Sequence, residues 1–280
     1  MKLSEAVEFT RSVRETWQPE AAGYPTTVVN INHVHSVLGD PEVSEITSHD
    51  FNNLTVALKH DGKSSATINR ITSALSTVLR TLSDYDMLDK LPKRSTLKEP
   101  RGRVNYFSED EISKLVTACS ELRRDGELMK DAIVFAVKTG CRQGEQLKLT
   151  WHDINWDTDE LTFYDTKTGD DRVLPLTYSL KELLTNRWNK RTSHEYVFSI
   201  HKDTLLRRLK EAMRIAELPE GKVWHEFRHT AATLMFDRQI PLPAVKDLLG
   251  HKNTATTLRY SHATLGGKKR ALDALDDLGA

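Results

Sequence analysis

Apolar residues recur at steps of three and four along most of the chain, a spacing that gathers them on one face of an α-helix. The clearest case is SATINRITSALSTVLRTL, residues 65–82, where Ile68, Ile71, Leu75, Val78, Leu79 and Leu82 share a face and Ser65 is available as an N-cap. The preceding TSHDFNNLTVALKH starts at a Thr/Ser cap and presents Phe51, Leu54 and Leu58 in the same way. With segments near 4–17 and 26–38, these predict a four-helix unit at the N-terminal end.

The pattern breaks between Lys90 and Val104. KLPKRSTLKEPRGRV holds two prolines, one glycine and six Lys or Arg against one Glu, the composition of a flexible basic strap between folded units. Beyond it, YFSEDEISKLV opens a helix with Ser108 as N-cap and Glu111 completing a capping box. Helical spacing runs on to Lys138. ELTFYDTKTGDDRVLPL then alternates, turns through Thr-Gly-Asp and alternates again, predicting a β-hairpin near 160–176 with Lys167 at or beside the turn. Helices return from residue 178, so the second unit is mostly helical with one small sheet.

Composition sets bounds around this picture. The 280 residues suit two domains, and 38% hydrophobic with 29% charged residues describes a soluble globular protein. Basic and acidic residues balance at 40 each, so bulk charge selects no partner. The N-terminal MKLSEAVEFTRSVRE lacks an apolar core of signal-peptide length, and runs such as AIVFAV at 132–137 are far short of a membrane span. A cytoplasmic protein without membrane contact is therefore expected. Cys119 and Cys141 cannot build a disulfide framework or a thiolate zinc site, and their apolar helical contexts suit buried free thiols.

The segment HEFRH, residues 225–229, admits two chemistries. As H-E-x-x-H it places His225 and His229 one helical turn apart, with Glu226 between them, as zinc metalloproteases do. The extended zinc form needs a Gly and a third His at offsets that here hold Ala232 and Met235, and no Glu follows Glu226. As H-x-x-R, the same segment directs His225 and Arg228 from one face. Arg142 follows a glycine turn, with Glu145 three residues on; Lys167 lies on the hairpin; His251 and Tyr260 lie in LLGHKNTATTLRYSH. Taken singly, each is an ordinary surface ion pair, solvated lysine or half-buried tyrosine. Together they make a phosphate site. Two guanidinium forks can hold non-bridging oxygens, a Lys or His can protonate a departing oxygen, and a tyrosine hydroxyl can attack phosphorus.

In this order, Arg142 in TGCRQGE, Lys167 in the hairpin, His225 and Arg228 in HEFRH, His251 in LLGH and Tyr260 in TLRYSH resemble the signature of the tyrosine recombinase (phage integrase) family. That signature is Arg, Lys, His-x-x-Arg, His or Trp, and Tyr. The resemblance covers about 105–265, and the N-terminal helices, SATINRITSALS above all, resemble the family's core-binding domain. Leu is more usual where Phe227 stands, a position expected to face the core. His229 and Glu226 are then left with packing or supporting roles.

The resemblance implies a mainly α fold. A helical core-binding (SAM-like) domain spans 1–89, a basic linker 90–104, and a mostly helical catalytic domain with a small antiparallel β-sheet and a C-terminal tail 105–280. It further implies that Tyr260 is the nucleophile, forming a 3′-phosphotyrosyl bond, that Arg142 and Arg228 hold the phosphoryl oxygens, and that Lys167 is the general acid. His225 and His251 donate hydrogen bonds or shuttle protons, and Glu145 orients Arg142. The strap cations Lys90, Lys93, Arg94, Lys98, Arg101 and Arg103 are expected near the DNA backbone. The implied partners are double-stranded DNA at specific attachment or core sites, three further copies of the chain in a homotetramer on a Holliday junction, and accessory DNA-bending or directionality factors. No cofactor, metal or ATP is expected. In the tail, Leu272, Leu275 and Leu278 form an apolar stripe that can dock on a neighbouring subunit or on its own domain. Integration or excision of a phage or mobile element is the expected role; a Xer-like dimer resolvase, a type IB topoisomerase and a non-catalytic DNA-binding protein are the alternatives.

Overall fold

The computed structural model describes residues 1–100, 105–164 and 171–261. By internal packing the chain divides into two compact units, Met1–Gly102 and Arg103–Ala280. Among the described residues no helix is long and apolar enough to cross a membrane.

The first unit holds helices α1 (Leu3–Val13), α2 (Tyr24–Leu38), α3 (Ser48–His60) and α4 (Ser65–Asp84). The first helix stops at Val13, earlier than its apolar spacing suggests, and a 3₁₀ turn at Glu15–Trp17 buries Trp17 instead. Pro25 sits in the first turn of α2, where its missing N–H costs nothing. Thr47 and Asp50 form a capping box on α3. The cap of α4 is Ser64 rather than Ser65, its Oγ accepting from the Thr67 N–H at 3.2 Å. Helices α1, α2 and α3 all pack on α4, whose Ile68, Ile71, Leu75, Val78, Leu79 and Leu82 are buried as their spacing predicts.

Asn69, a buried polar residue on α4, explains the course of the chain beyond that helix. Its amide nitrogen donates to the Leu97 carbonyl at 2.9 Å and to Glu99 at 2.8 Å, while its amide oxygen accepts from the Leu97 N–H at 2.9 Å. An asparagine has both a donor and an acceptor, so it can hold a passing backbone as a strand partner would. The Lys93 N–H also donates to Ser48 Oγ at 3.0 Å, and the Arg94 guanidinium to the Asn69 carbonyl at 3.2 Å. The segment expected to be a flexible strap is thus seated on the first unit from Lys93 to Glu99. Lys90, Lys93 and Lys98 remain exposed, Arg94 is half-buried, and Arg101 and Arg103 lie outside the described residues.

The second unit contains α5 (Glu109–Ala118), α6 (Gly126–Thr139) and α7 (Gln143–Lys148), then strands β1 (Ile154–Asn155), β2 (Glu160–Phe163) and β3 (Arg172–Pro175). Helices α8 (Tyr178–Asn189), α9 (Lys202–Ile215), α10 (Glu226–Asp237), α11 (Leu242–Leu249) and α12 (Thr254–Ser261) come after the sheet. The Ser108 and Glu111 capping box opens α5 as its sequence predicts. The hairpin pairs Leu161 with Leu174 and Phe163 with Arg172, and a short antiparallel β1 adds a third strand that the alternation does not reveal. Lys167 and the turn lie outside the described residues. The core centres on α6 (Met129, Ile133, Phe135), with the inward faces of the sheet, α8 and α9 around it. Phe227 enters this core and stacks on Phe107 with ring centroids 4.7 Å apart. Cys119 and Cys141 are buried free thiols, and burial pushes their pKa values up to about 11 and about 12.

Candidate active site

The site grows from the end of α6. Gly140 closes that helix at φ 59°, in the left-handed region, and a Cβ there would lie 2.5 Å from Leu249 Cδ2. The close approach brings the end of α11 against the end of α6. Cys141 comes next, and Arg142 then occupies the N-cap position of α7. The first turn of α7 folds on Glu145: one carboxylate oxygen accepts the Arg142 backbone N–H at 2.9 Å, the other its Nη1 at 2.5 Å.

Glu145 is shared. Arg172, the first residue of β3, donates Nη2 to the same carboxylate at 2.7 Å. Position 172 is in phase with Leu174, so it faces inward, and its guanidinium lies over the Phe163 ring at 4.7 Å. Arg172 is the functional candidate that the motif reading missed. Its signal was present in the alternation, as a charged residue at an inward position, which requires a buried partner.

The third guanidinium belongs to Arg228, one turn into α10. Only 2% of this residue is exposed, and its Nη1 donates to the Gly140 carbonyl at 2.8 Å. Burial, then the charges of Arg142 and Arg172, lower its pKa to about 10, still well above neutrality. The orientation of α10 is set on either side of His225. Trp224 donates to Gln146 at 3.2 Å, Gln146 donates to the Ala132 carbonyl at 2.8 Å, and Glu226 accepts the Val223 N–H at 2.6 Å. Glu226 therefore ties the start of α10 to the turn that precedes it.

All three guanidiniums meet the carboxyl end of α11. Arg172 donates to the Leu248 carbonyl, Arg228 to Leu249 at 2.5 Å and Arg142 to Gly250 at 3.2 Å. The last turn of a helix leaves carbonyls without partners and carries partial negative charge, so this end suits a cluster of cations. Gly250, at φ 63°, turns the chain out of α11 into His251.

His251 and Tyr260 complete the cluster. His251 Nδ1 is 2.8 Å from Thr257 Oγ1, and its ring stacks beside that of Tyr260 at 6.4 Å. Thr257 lies three residues before Tyr260 on α12, a helical spacing that put it within reach but that no motif marks. Tyr260 is 3% exposed and packs on Ala232, Val245 and Leu249. Its hydroxyl is 2.6 Å from Nδ1 of His229. His229, expected to have only a packing or supporting role, thus sits against the tyrosine hydroxyl itself. His225, exposed at the start of α10, packs T-shaped against the His229 ring, with ring centroids 4.8 Å apart. Burial lowers the pKa of both His229 and His251 to about 4, and neighbouring positive groups add to the effect, so both are neutral at pH 7. Burial raises that of Tyr260.

The structure therefore brings Arg142, Glu145, Arg228, His251 and Tyr260 together with His229 and with the unanticipated Arg172 and Thr257. His225 borders the cluster. Among the described residues no group of three His, Cys, Asp or Glu has metal-ligand geometry, and His229 and Glu226 are each engaged elsewhere. Three guanidiniums against one carboxylate leave an excess of positive charge beside a tyrosine and neutral imidazoles, an arrangement able to bind a phosphate and to move a proton.

The profile of the phage integrase family matches residues 105–265. A tyrosine recombinase XerC-like protein of Caldanaerobacter subterraneus is 28% identical over 296 residues, covering 87% of this chain and 74% of its own. The ICEBs1 integrase of Bacillus subtilis is 25% identical, with 88% and 75% covered. The fold is similar to that of lambda integrase, solved as a dimer bound to a COC′ core site, with a TM-score of 0.77 at 21% identity over 93% of this chain and 77% of that one. The lambda integrase tetramer bound to a Holliday junction gives 0.74 at 22% identity, over 91% and 78%. With the family profile spanning more than half of its residues, this chain belongs to the phage integrase family, the tyrosine recombinases.

Proposed function

We propose that the protein is a site-specific DNA recombinase that cleaves and rejoins double-stranded DNA through a 3′-phosphotyrosyl bond to Tyr260. The observation that carries this reading is the convergence of Arg142, Arg172 and Arg228 on the end of α11, beside a tyrosine whose hydroxyl is bonded to a neutral imidazole. Arg142 and Arg228 hold the non-bridging oxygens of the scissile phosphate and stabilise the charge that develops there. Each guanidinium has five N–H donors, so the bonds to backbone carbonyls leave others for phosphate. Glu145 orients Arg142. Lys167 is the general acid for the 5′-oxygen, and His225 and His251 donate further hydrogen bonds.

The phosphotyrosyl bond conserves the energy of the phosphodiester, so rejoining needs no ATP, and with side-chain cations at the phosphate no metal is needed. Exchange of two strand pairs through a Holliday junction requires four copies of the chain, a reading supported by the fold shared with lambda integrase. The helices of the first unit act as a core-type DNA-binding domain, and Lys90, Lys93 and Lys98, which are exposed, contact the phosphate backbone. The role is integration or excision of a phage or mobile element. Dimer resolution is the second reading, favoured by the XerC-like relative and its 87% cover of this chain.

The experiment is a denaturing gel of wild type and Tyr260→Phe incubated, with EDTA, on nicked duplexes from the DNA flanking the gene. A slowly migrating protein–DNA adduct with wild type alone supports the proposal. An adduct that survives in Tyr260→Phe removes that nucleophile, and cleavage that EDTA abolishes removes the metal-free mechanism.

A further inference from the structure

We propose that His229 is the base that takes the phenolic proton of Tyr260 as its oxygen attacks the scissile phosphate, a role that rests on the recombinase reading above. Nδ1 of His229 is 2.6 Å from the Tyr260 hydroxyl, within range of direct transfer, and the two rings lie 5.4 Å apart at 46°. His229 is held by its helix: Arg228 and Thr230 on either side are buried, and the Thr230 hydroxyl accepts the Phe107 N–H at 2.8 Å. His251 has its Nδ1 engaged by Thr257, and its ring lies alongside that of Tyr260.

The step balances without a co-reactant. As the bond between the Tyr260 oxygen and phosphorus forms and the bond from phosphorus to O5′ breaks, the phenolic proton passes to Nδ1, leaving an imidazolium, and O5′ takes a proton from the general acid. In rejoining, the 5′-hydroxyl attacks phosphorus and returns its proton to the conjugate base of the general acid, the bond from phosphorus to the tyrosine oxygen breaks, and Nδ1–H returns its proton to that departing oxygen. The transfer must accompany bond formation. Burial disfavours phenolate and imidazolium alike, so transfer ahead of attack is uphill, whereas the negative charge developing at phosphorus stabilises the imidazolium as it forms.

The groups facing His229 are His225 and Arg228 on the start of α10, and Arg259 and Tyr260 on α12. The positive members of this set disfavour protonation of His229, in addition to its burial, so the base is unprotonated at every pH above about 4. An ordinary imidazole would lose its basic form near pH 6.5.

The test measures formation of the covalent adduct, from pH 4.5 to 9, on a nicked duplex that wild type cleaves. His229→Gln keeps a hydrogen-bond acceptor near the hydroxyl but cannot take the proton. It is expected to bind the duplex as wild type does, to form adduct about 10²–10⁴-fold more slowly at pH 7, and to gain rate as pH rises. Wild type is expected to stay nearly level down to about pH 5. His229→Gly is expected to recover rate with added imidazole, in proportion to its free base, which a merely structural histidine would not show. Adduct formation by His229→Gln within threefold of wild type, with the same pH profile, would overturn the proposal. So would His229→Gly that binds DNA, forms adduct slowly and gains nothing from imidazole. A wild type that forms no Tyr260-dependent adduct on any duplex would instead remove the recombinase reading on which the proposal rests.

Discussion

Glu145→Gln removes the one carboxylate that both Arg142 and Arg172 share while preserving size and one acceptor oxygen. Glu145 pairs with both Arg142 and Arg172, with the Arg228 guanidinium nearby, so the variant takes a shared negative charge from a cluster of cations. Glu145 and Arg172 have side chains only 6% and 7% exposed, so little solvent screening replaces the lost charge. Breaking a buried pair by neutralising one partner costs about 3–5 kcal/mol. Because glutamine keeps one acceptor and the α11 carbonyls still receive the guanidiniums, the lower end, about 3 kcal/mol, is expected. For a unit of this size that lowers Tm by about 6–12 °C. Differential scanning calorimetry of wild type and variant reads it directly. Part of the loss should return in Glu145→Gln/Arg172→Met, because the second change removes the guanidinium left unpaired. A fall of less than 2 °C, or a double variant no more stable than Glu145→Gln, would refute the reasoning. With Arg142 no longer oriented, adduct formation should also fall, by about 10²-fold.

Gly140→Ala places a Cβ 2.5 Å from Leu249 Cδ2 at a left-handed backbone position, and should cost about 2–3 kcal/mol in urea denaturation; an unchanged midpoint would contradict the close approach of α6 and α11. Asn69→Ala removes three hydrogen bonds that seat the basic segment, so trypsin should cut at Lys93 or Lys98 markedly faster than in wild type, and equal cutting rates would mean the segment is held by other contacts. His229 and His251 have folded-state pKa values lowered to about 4, so the unfolded chain binds more protons below pH 6.5. Stability should therefore fall as pH drops from 6.5 toward 4. A Tm that stays level across that window would show that neither imidazole is held neutral.

The helical faces were legible because each residue's environment is set by its neighbours at three and four steps, as Ile68 through Leu82 show on α4. The catalytic candidates were legible through a motif order that spans more than a hundred residues. What spacing could not supply was which side chains meet. Arg172 reads as one more charge in a hairpin until the sheet register turns it inward beneath Gly250. His229 was visible as the partner of His225 in a zinc-like spacing, but its use depends on where α12 places Tyr260, and no local pattern encodes that. Asn69 likewise carries no local signal, because its partners lie 28 and 30 residues later in the chain.

The carboxyl end of α11 unites these separate facts. Its three carbonyls, from Leu248 to Gly250, receive guanidiniums from β3, α10 and the start of α7, and the chain leaving it carries His251 and then Tyr260. One helix end thus fixes the guanidiniums proposed to hold phosphate and the segment bearing Tyr260, the proposed nucleophile. The guanidinium–carbonyl bonds also solvate buried charge whose desolvation would otherwise oppose folding. Stability and site geometry are therefore coupled through this joint, and a substitution that loosens it should lower both. A substitution at His229 acts on the proton rather than on the joint, so its effect on cleavage should exceed its effect on Tm. The contrast between Glu145→Gln and His229→Gln separates the residues that build the site from the residue that carries the proton through it.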